Sequence, residues 1–412
     1  MQPWLVQPRK GSLRGATESI FIWCSQLVDP DYTRNVAELR LQKCLRKDIQ
    51  RAASAFKRMG HLKEYNIYWD DNPHYHPELY RFFLGPTVNL WKDHLVKLTI
   101  KVPPVFINSL ARILLPKLEN LCFTFSTGNL PSADIENAHD GFIIFVNNTK
   151  PTLRSLSFTS TKSSEHLDMS FAFLRLGLFP NLCVISVSIP YDGGHLSNPI
   201  DFVEFLLRNG ALLCELNLFT NLLPLRKEAK QYNIEWVQHI LDAIRPPLPR
   251  LRRLSVALRP IHHPLDTIIK FLDVHPEVTS LKLLDRCLTA QELSSILTAD
   301  SRLGQNLGLL HIKVDTLVPD MLVSIARMCP ELETLQLECQ RLLVYRPGVM
   351  PRNANGTAFE VSTFSFHLSN AIFAYSHPSL SGLFAFGNPP SIILWKTGSC
   401  RPSHLASPTP AR

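Results

Sequence analysis

The chain has 412 residues, 45% of them hydrophobic and 19% charged, a balance that excludes an intrinsically disordered protein. Its nine cysteines are odd in number and scattered without a Cys-x-x-Cys pair, so neither a zinc site nor a redox motif is supported. The formal net charge of +8 sits at the ends: residues 1–60 hold 11 Lys/Arg against 5 Asp/Glu, residues 341–412 hold 6 against 1, and residues 61–340 hold 26 against 29. A nucleic-acid-binding repeat array should carry positive charge along its length, and this middle section does not.

The start, Met1-Gln2-Pro3-Trp4-Leu5-Val6, is too polar and too broken by proline for a signal peptide. Residues 1–33 contain Trp4, Phe21 and Trp23 with weak periodicity and are read as an N-terminal cap. Residues 48–59 form an amphipathic pattern through Ile49, Ala52, Ala53 and Phe56, expected as the first helix. From Val36 onward a leucine pattern, L-x-x-L-x-L, recurs. Its first positions are Val36, Leu62, Leu95, Leu118, Leu153, Leu182, Leu213, Leu251, Val278, Leu307, Leu332 and Val361, with a mean spacing of about 30 residues. The clearest copy is Leu213, Leu216, Leu218, Asn221 and Leu223. In each copy the fourth and sixth positions are two apart and share one face of a strand.

Two later positions test the pattern. The ninth is Cys44, Asn221, Asp315 or Gln340 in four copies, where a polar side chain can bond backbone groups as the chain leaves the strand; Pro103, Pro190, Arg259 and Arg286 depart from this. The eleventh is Leu223, Ile261, Leu288, Leu317 or Leu342 and should return to the core. Between strands lie helical steps: Ile234/Val237/Leu241/Ile244, Ile268/Phe271/Leu272, Leu293/Ile296/Leu297 and Met321/Leu322/Ile325/Met328. Several run into a proline that stops them, at Pro116, Pro180, Pro276 and Pro330. Asp201 and Asp320 are placed near helix starts. Tyr191-Asp192-Gly193-Gly194 reads as a turn. From residue 386 onward, Pro389, Pro390, Pro402, Pro408 and Pro410 with Ser and Gly indicate a disordered tail.

This pattern predicts an α/β fold, an irregular leucine-rich-repeat solenoid of about twelve strand–helix repeats over residues 34–385, with a parallel concave sheet and convex helices. Twelve strands about 4.8 Å apart would give a groove roughly 50 Å long, suited to a protein partner rather than a small molecule. Side chains at the third, fifth and seventh positions should line it. Those chosen as partner-binding candidates are Tyr68, Lys97, Asn217, Phe219, Arg253, Lys282, His311 and Gln336, aromatic and cationic anchors with polar neighbours. Residues 224–231 and 129–136 are candidate inserted loops.

No catalytic constellation rises above background. His74-Tyr75-His76 and His262-His263 lack partners at ligand spacing, and nucleotide-binding and nucleophile-elbow motifs are absent. No cofactor, metal, enzyme activity or nucleic-acid partner is therefore expected. No apolar run approaches the ~20 residues of a membrane span, and an intracellular location, cytoplasmic or nuclear, is expected.

Strand cores such as Pro330-Glu331-Leu332-Glu333-Thr334-Leu335-Gln336-Leu337, together with the opening Thr33-Arg34-Asn35-Val36-Ala37-Glu38-Leu39-Arg40-Leu41, resemble the leucine-rich part of fungal F-box/leucine-rich-repeat proteins. The resemblance covers roughly residues 34–385. It implies repeats that hold a target protein, and an N-terminal helical F-box that docks the adaptor of a cullin–RING ubiquitin ligase. Ahead of Val36 the family's Leu-Pro-x-Glu opening is missing, so residues 1–33 are a cap or an F-box remnant. Two functions follow as expectations: a non-catalytic interaction scaffold, or a ligase substrate receptor whose F-box is lost or truncated.

Overall fold

A computed structural model describes residues 19–23, 50, 62–68, 84–102, 104–125, 132–161, 167–221, 235–245, 247–261, 265–299, 301–344, 357–369 and 393–396. The chain divides into two compact units, Met1–Leu251 with Arg259–His262, and Arg252–Leu258 with His263–Arg412.

In the first unit, β1 (Ser19–Trp23), β2 (Glu64–Tyr68), β3 (Lys97–Val102), β4 (Asn120–Phe125), β5 (Ser155–Ser160), β6 (Val184–Pro190) and β7 (Glu215–Asn221) form a parallel sheet in chain order. Its helices are α1 (Pro86–Leu90), α2 (Ser132–Asn148), α3 (Ser170–Arg175), α4 (Pro199–Asn209) and α5 (Trp236–Ala243), with 3-10 turns at Pro104–Ser109 and Gly210–Leu212. In the second unit, β8 (Arg253–Ala257), β9 (Ser280–Leu288), β10 (Leu309–Leu317) and β11 (Thr334–Val344) are parallel neighbours. They alternate with α6 (Asp266–Val274), α7 (Ala290–Ala299), α8 (Ser301–Asn306) and α9 (Pro319–Met328).

Ten strands, β2 to β11, each begin two residues after a first-position residue in the series from Leu62 to Leu332. The reason is visible at most of these strand starts. The first-position side chain is buried, as at Leu95, Leu153 and Leu307. One carbonyl of the preceding repeat then accepts two successive N–H groups: Val96 O from Glu119 and Asn120, Glu119 O from Arg154 and Ser155, Arg154 O from Cys183 and Val184. This double acceptor at a fixed offset keeps neighbouring strands in register without an extra residue.

Burial alternates along the strands, so β4 and β5 show one covered and one open face. The covered side of the first unit is largely aromatic. Phe123 and Phe125 on β4 meet Phe142 on α2 at 5.0 and 5.2 Å, and Phe158 on β5 meets Phe173 on α3 at 6.2 Å, mostly edge to face. Phe173 in turn contacts Phe202 and Phe205 on α4. Two helices stop where proline was expected to stop them: α6 ends at Val274 ahead of Pro276, and α9 at Met328 ahead of Pro330; ahead of Pro116 and Pro180 the helical segments end earlier, at Ser109 and Arg175. Ile261, Leu288 and Leu317, the eleventh-position residues with described side chains, are buried.

Both ends differ from the expected array. The copy at Val36 and the helix over 48–59 lie outside the described residues, apart from helical Gln50. The first described strand, β1, falls within the stretch read as a cap and pairs in parallel with β2. The copy at Val361 is not a parallel repeat. It lies in β12 (Thr357–Ser369), which returns antiparallel along β11 from Thr334↔Ser369 to Val344↔Thr357. The connecting residues 345–356 explain this: a parallel crossover takes a dozen or more residues, usually with a helix, and Pro347, Gly348, Pro351 and Gly356 leave no helical pattern there. A short β13 (Ile393–Lys396) pairs antiparallel with β12 inside the segment 386–412 read as a disordered tail.

Candidate functional site on the open sheet faces

Because the parallel strands keep register, alternate side chains stand in straight ranks across the sheet. In the first unit one rank runs Glu64, Lys97, Asn120, Ser155, Val184, Glu215; the next Asn66, Thr99, Cys122, Ser157, Ser186, Asn217; the third Tyr68, Lys101, Thr124, Thr159, Ser188, Phe219. The middle strands therefore offer a floor of hydroxyl and small groups. The flanking strands β2 and β7 repeat one motif, Glu-x-Asn-x-aromatic, five strand steps or about 24 Å apart.

Four of the expected partner-binding residues lie here. Lys97 pairs with Glu64 Oε1 at 2.7 Å. Asn217 is only 7% exposed, and its amide donates to Glu215 Oε1 at 2.8 Å, as Asn66 does to Glu64 at 3.1 Å. Asn217 thus orders its own strand face rather than reaching outward. Phe219 is partly exposed, at the far end of the rank that begins with Tyr68. The register therefore separates those two aromatics instead of gathering them.

The second unit brings its four candidates closer together. Lys282, His311 and Gln336 occupy one rank on β9, β10 and β11, with Arg253 one strand and two residues away on β8. His311 Nε2 lies 3.2 Å from Glu338 Oε1, and Lys313 Nζ lies 4.0 Å from the other oxygen of that carboxylate. Beside them β9 bulges: Leu283 pairs with Ile312 but Leu288 with Val314, and Asp285 takes a φ of 71° to absorb the extra residues. The bulge turns Arg286 toward Glu292, 3.0 Å from its guanidinium. Within the first unit the seven parallel strands span about 29 Å.

A partly buried polar cluster at the carboxyl ends of β5 to β7 was not foreseen. Ser160 Oγ lies 2.7 Å from His195 Nδ1, and Asn221 bonds both the Ser160 carbonyl and Ser188, the latter hydroxyl donating at 2.7 Å. Asp168 accepts from the backbone N–H of Ser170 at 3.0 Å and from the backbone and hydroxyl of Ser197. Burial alone would raise the Asp168 carboxyl, but these donors together hold it below the ordinary value. His139, nearby on α2, is pushed down by burial. Ser160 is fully buried, so the Ser–His pair closes a strand end and offers no nucleophile. Of these, only Asn221 carried a signal, as a ninth-position residue; its partners lie 33 and 61 residues away. Asp315, the other ninth-position residue with a described side chain, pairs with Arg341 instead.

The Asp192 turn forms as expected, with Gly193 at a φ of 67° and Gly194 N–H on the Asp192 carboxylate at 3.2 Å. The His pairs and the candidate loop 224–231 lie outside the described residues, whereas the expected loop at 129–136 is instead, from Ser132 onward, the start of α2. Among the described residues no group of His, Cys, Asp or Glu could hold a metal, and no helix is long and apolar enough to cross a membrane.

Fold and faces together define an irregular leucine-rich-repeat-like α/β array. No known family profile matches the sequence, and no curated protein matches it. A crystal structure of the Rad7 and Elc1 complex in yeast aligns over 72% of this chain and 76% of that one, at 14% identity and a TM-score of 0.36.

Proposed function

We propose that this chain is a non-catalytic scaffold that holds a protein partner on the open faces of its parallel sheets. The support is the in-register ranks. They present a broad, shallow, mostly uncharged surface in the first unit and one of mixed charge in the second, shapes that suit a polypeptide better than a small ligand. Adaptor docking, which the family resemblance implies, falls to residues 1–60, where only 19–23 and 50 are described.

Site-specific photocrosslinking tests the reading. A photoreactive residue is placed at Thr159 or Phe219 on the sheet face, or at Asp140 or Glu204 on the helix layer. One protein, identified by mass spectrometry, should crosslink from both sheet positions, and its crosslinking from Thr159 should be lost on Phe219→Asp. Crosslinking of that protein only from the helix layer overturns the proposal.

A further inference from the structure

Cys183 and Cys214 sit directly ahead of β6 and β7, at the same place in neighbouring repeats of the first unit. The register Val184↔Glu215 sets them side by side. Their backbone surroundings repeat as well. The Arg154 carbonyl accepts the N–H groups of Cys183 and Val184, and the Cys183 carbonyl accepts those of Cys214, at 2.8 Å, and Glu215. Two residues held alike on adjoining strands send their side chains the same way. Parallel neighbours stand about 4.8 Å apart, inside the roughly 4.4–6.8 Å between Cα atoms that a disulfide spans.

Both cysteines are reduced and partly exposed. The Cys183 thiol donates to the Asn181 carbonyl at 3.3 Å, at the protein surface. Side chains along this rank do meet, since Arg154 Nε, beside Cys183, lies 3.6 Å from Glu119 Oε2 one strand further on. Among the described residues the other four cysteines have no second thiol on an adjoining strand. Cys122 stands between Thr99 and Ser157 in its rank, and Cys287 and Cys339 lie on β9 and β11 with β10 between them. Cys329 is buried at the end of α9. Burial raises all four of these thiols, which lowers the thiolate share that reacts.

We infer that Cys183 and Cys214 are a redox-reactive dithiol that closes to a disulfide when a hydroperoxide is the oxidant. One thiolate attacks the O–O bond of hydrogen peroxide and becomes a sulfenic acid; the expelled hydroxide leaves as water with that thiol's proton. The second thiolate attacks the sulfenic sulfur and expels hydroxide, which takes up the second proton. Two thiols and one hydrogen peroxide thus give one disulfide and two waters. The bond ties the start of β6 to the start of β7 at the edge of the open sheet face. It needs no bound partner, so it stands apart from the scaffold reading.

The test treats the reduced, desalted full chain with excess hydrogen peroxide, alkylates the remaining thiols and maps the peptides by mass spectrometry. The peptides of Cys183 and Cys214 should appear joined, two hydrogens lighter than the reduced pair, and should separate with dithiothreitol. Cys183→Ser should stop Cys214 at the sulfenic acid, captured by dimedone, and Cys214→Ser should do the same for Cys183. Thermal melts before oxidation confirm that both variants fold. Retention of both thiols under excess peroxide, or oxidation of each without joining, overturns the inference. So does a join made between two chains, which a non-reducing gel reads as a dimer.

Discussion

Asn209 shows how single polar side chains tie one repeat to the next. It is the last residue of α4 and almost fully buried. Its carbonyl accepts the Phe179 N–H at 2.7 Å, and its amide donates to Phe205 O at 2.9 Å. Similar ties recur at helix ends and at the turns into strands: Asn147 to Gly177, Asn148 to Ala111, Thr152 to Leu118, Asn181 to Pro151 and Asn306 to Pro276. Each satisfies a backbone group that a turn would otherwise bury unpaired. Asn209→Ala should therefore cost about 1–3 kcal/mol, because it strands the Phe179 N–H, and a shift in urea midpoint measures it. An unchanged midpoint would show that Phe179 finds another acceptor. None of this was legible in the sequence. An Asn is unremarkable at a helix end, and its partner lies 30 residues away.

At the scale of elements, the start of α7 is a reciprocal cap. Thr289 N–H and hydroxyl both donate to Glu292 Oε2, at 2.8 and 3.0 Å, and Glu292 N–H donates to Thr289 Oγ1 at 3.2 Å. Thr289→Ala should cost about 0.5–2 kcal/mol, read by thermal denaturation followed by circular dichroism. The aromatic layer is the other element-scale feature. Phe158 lies between Phe125 at 5.3 Å, Phe142 at 6.1 Å and Phe173 at 6.2 Å. Phe158→Ala leaves a cavity shared by β4, β5, α2 and α3 and should cost about 3–5 kcal/mol, against about 1 for Phe158→Leu. Equal losses for the two would mean that the layer collapses around the gap. Helix packing has a backbone limit too. A Cβ on Gly141 of α2 would stand 2.9 Å from the Asn108 Cα in the 3-10 turn, so no flexible side chain can absorb it.

For the whole molecule, pH dependence follows from groups whose charged or neutral state folding favours. His139 and His275 are both lowered by burial from the ordinary value of 6.5, the latter against a weaker opposing bond from its ring to Phe271 O. The unfolded chain therefore takes up protons first as pH falls below about 6.5, and stability falls with it. Asp168 and Glu292 are held low despite burial, by donors from Ser170 and Ser197 and from Thr289 and Arg286. Their contribution is present above the unfolded carboxylate range, near pH 4, and is lost as pH drops through the depressed folded values. Urea midpoints should thus fall in two stages between neutral pH and acid, and His275→Asn should flatten the first. A single stage confined to carboxylate pH would contradict the histidine assignment. Cys329, raised by burial to about 11, stays a neutral thiol throughout.

The sequence by itself determined the strands and their offset. A first-position Leu or Val is buried at nine of these ten strand starts, so a period of about 30 residues locates β2 to β11, and Pro276 and Pro330 mark where α6 and α9 stop. Those are local consequences of side-chain volume and backbone donors. Tertiary structure alone decided which side chains meet. It tied Asn217 to Glu215 on their shared face, set Glu338 between His311 and Lys313, and sent the strand at Val361 back antiparallel. Those outcomes depend on register between repeats of unequal length and on the bulge at Asp285, where a small shift changes every neighbour across the sheet.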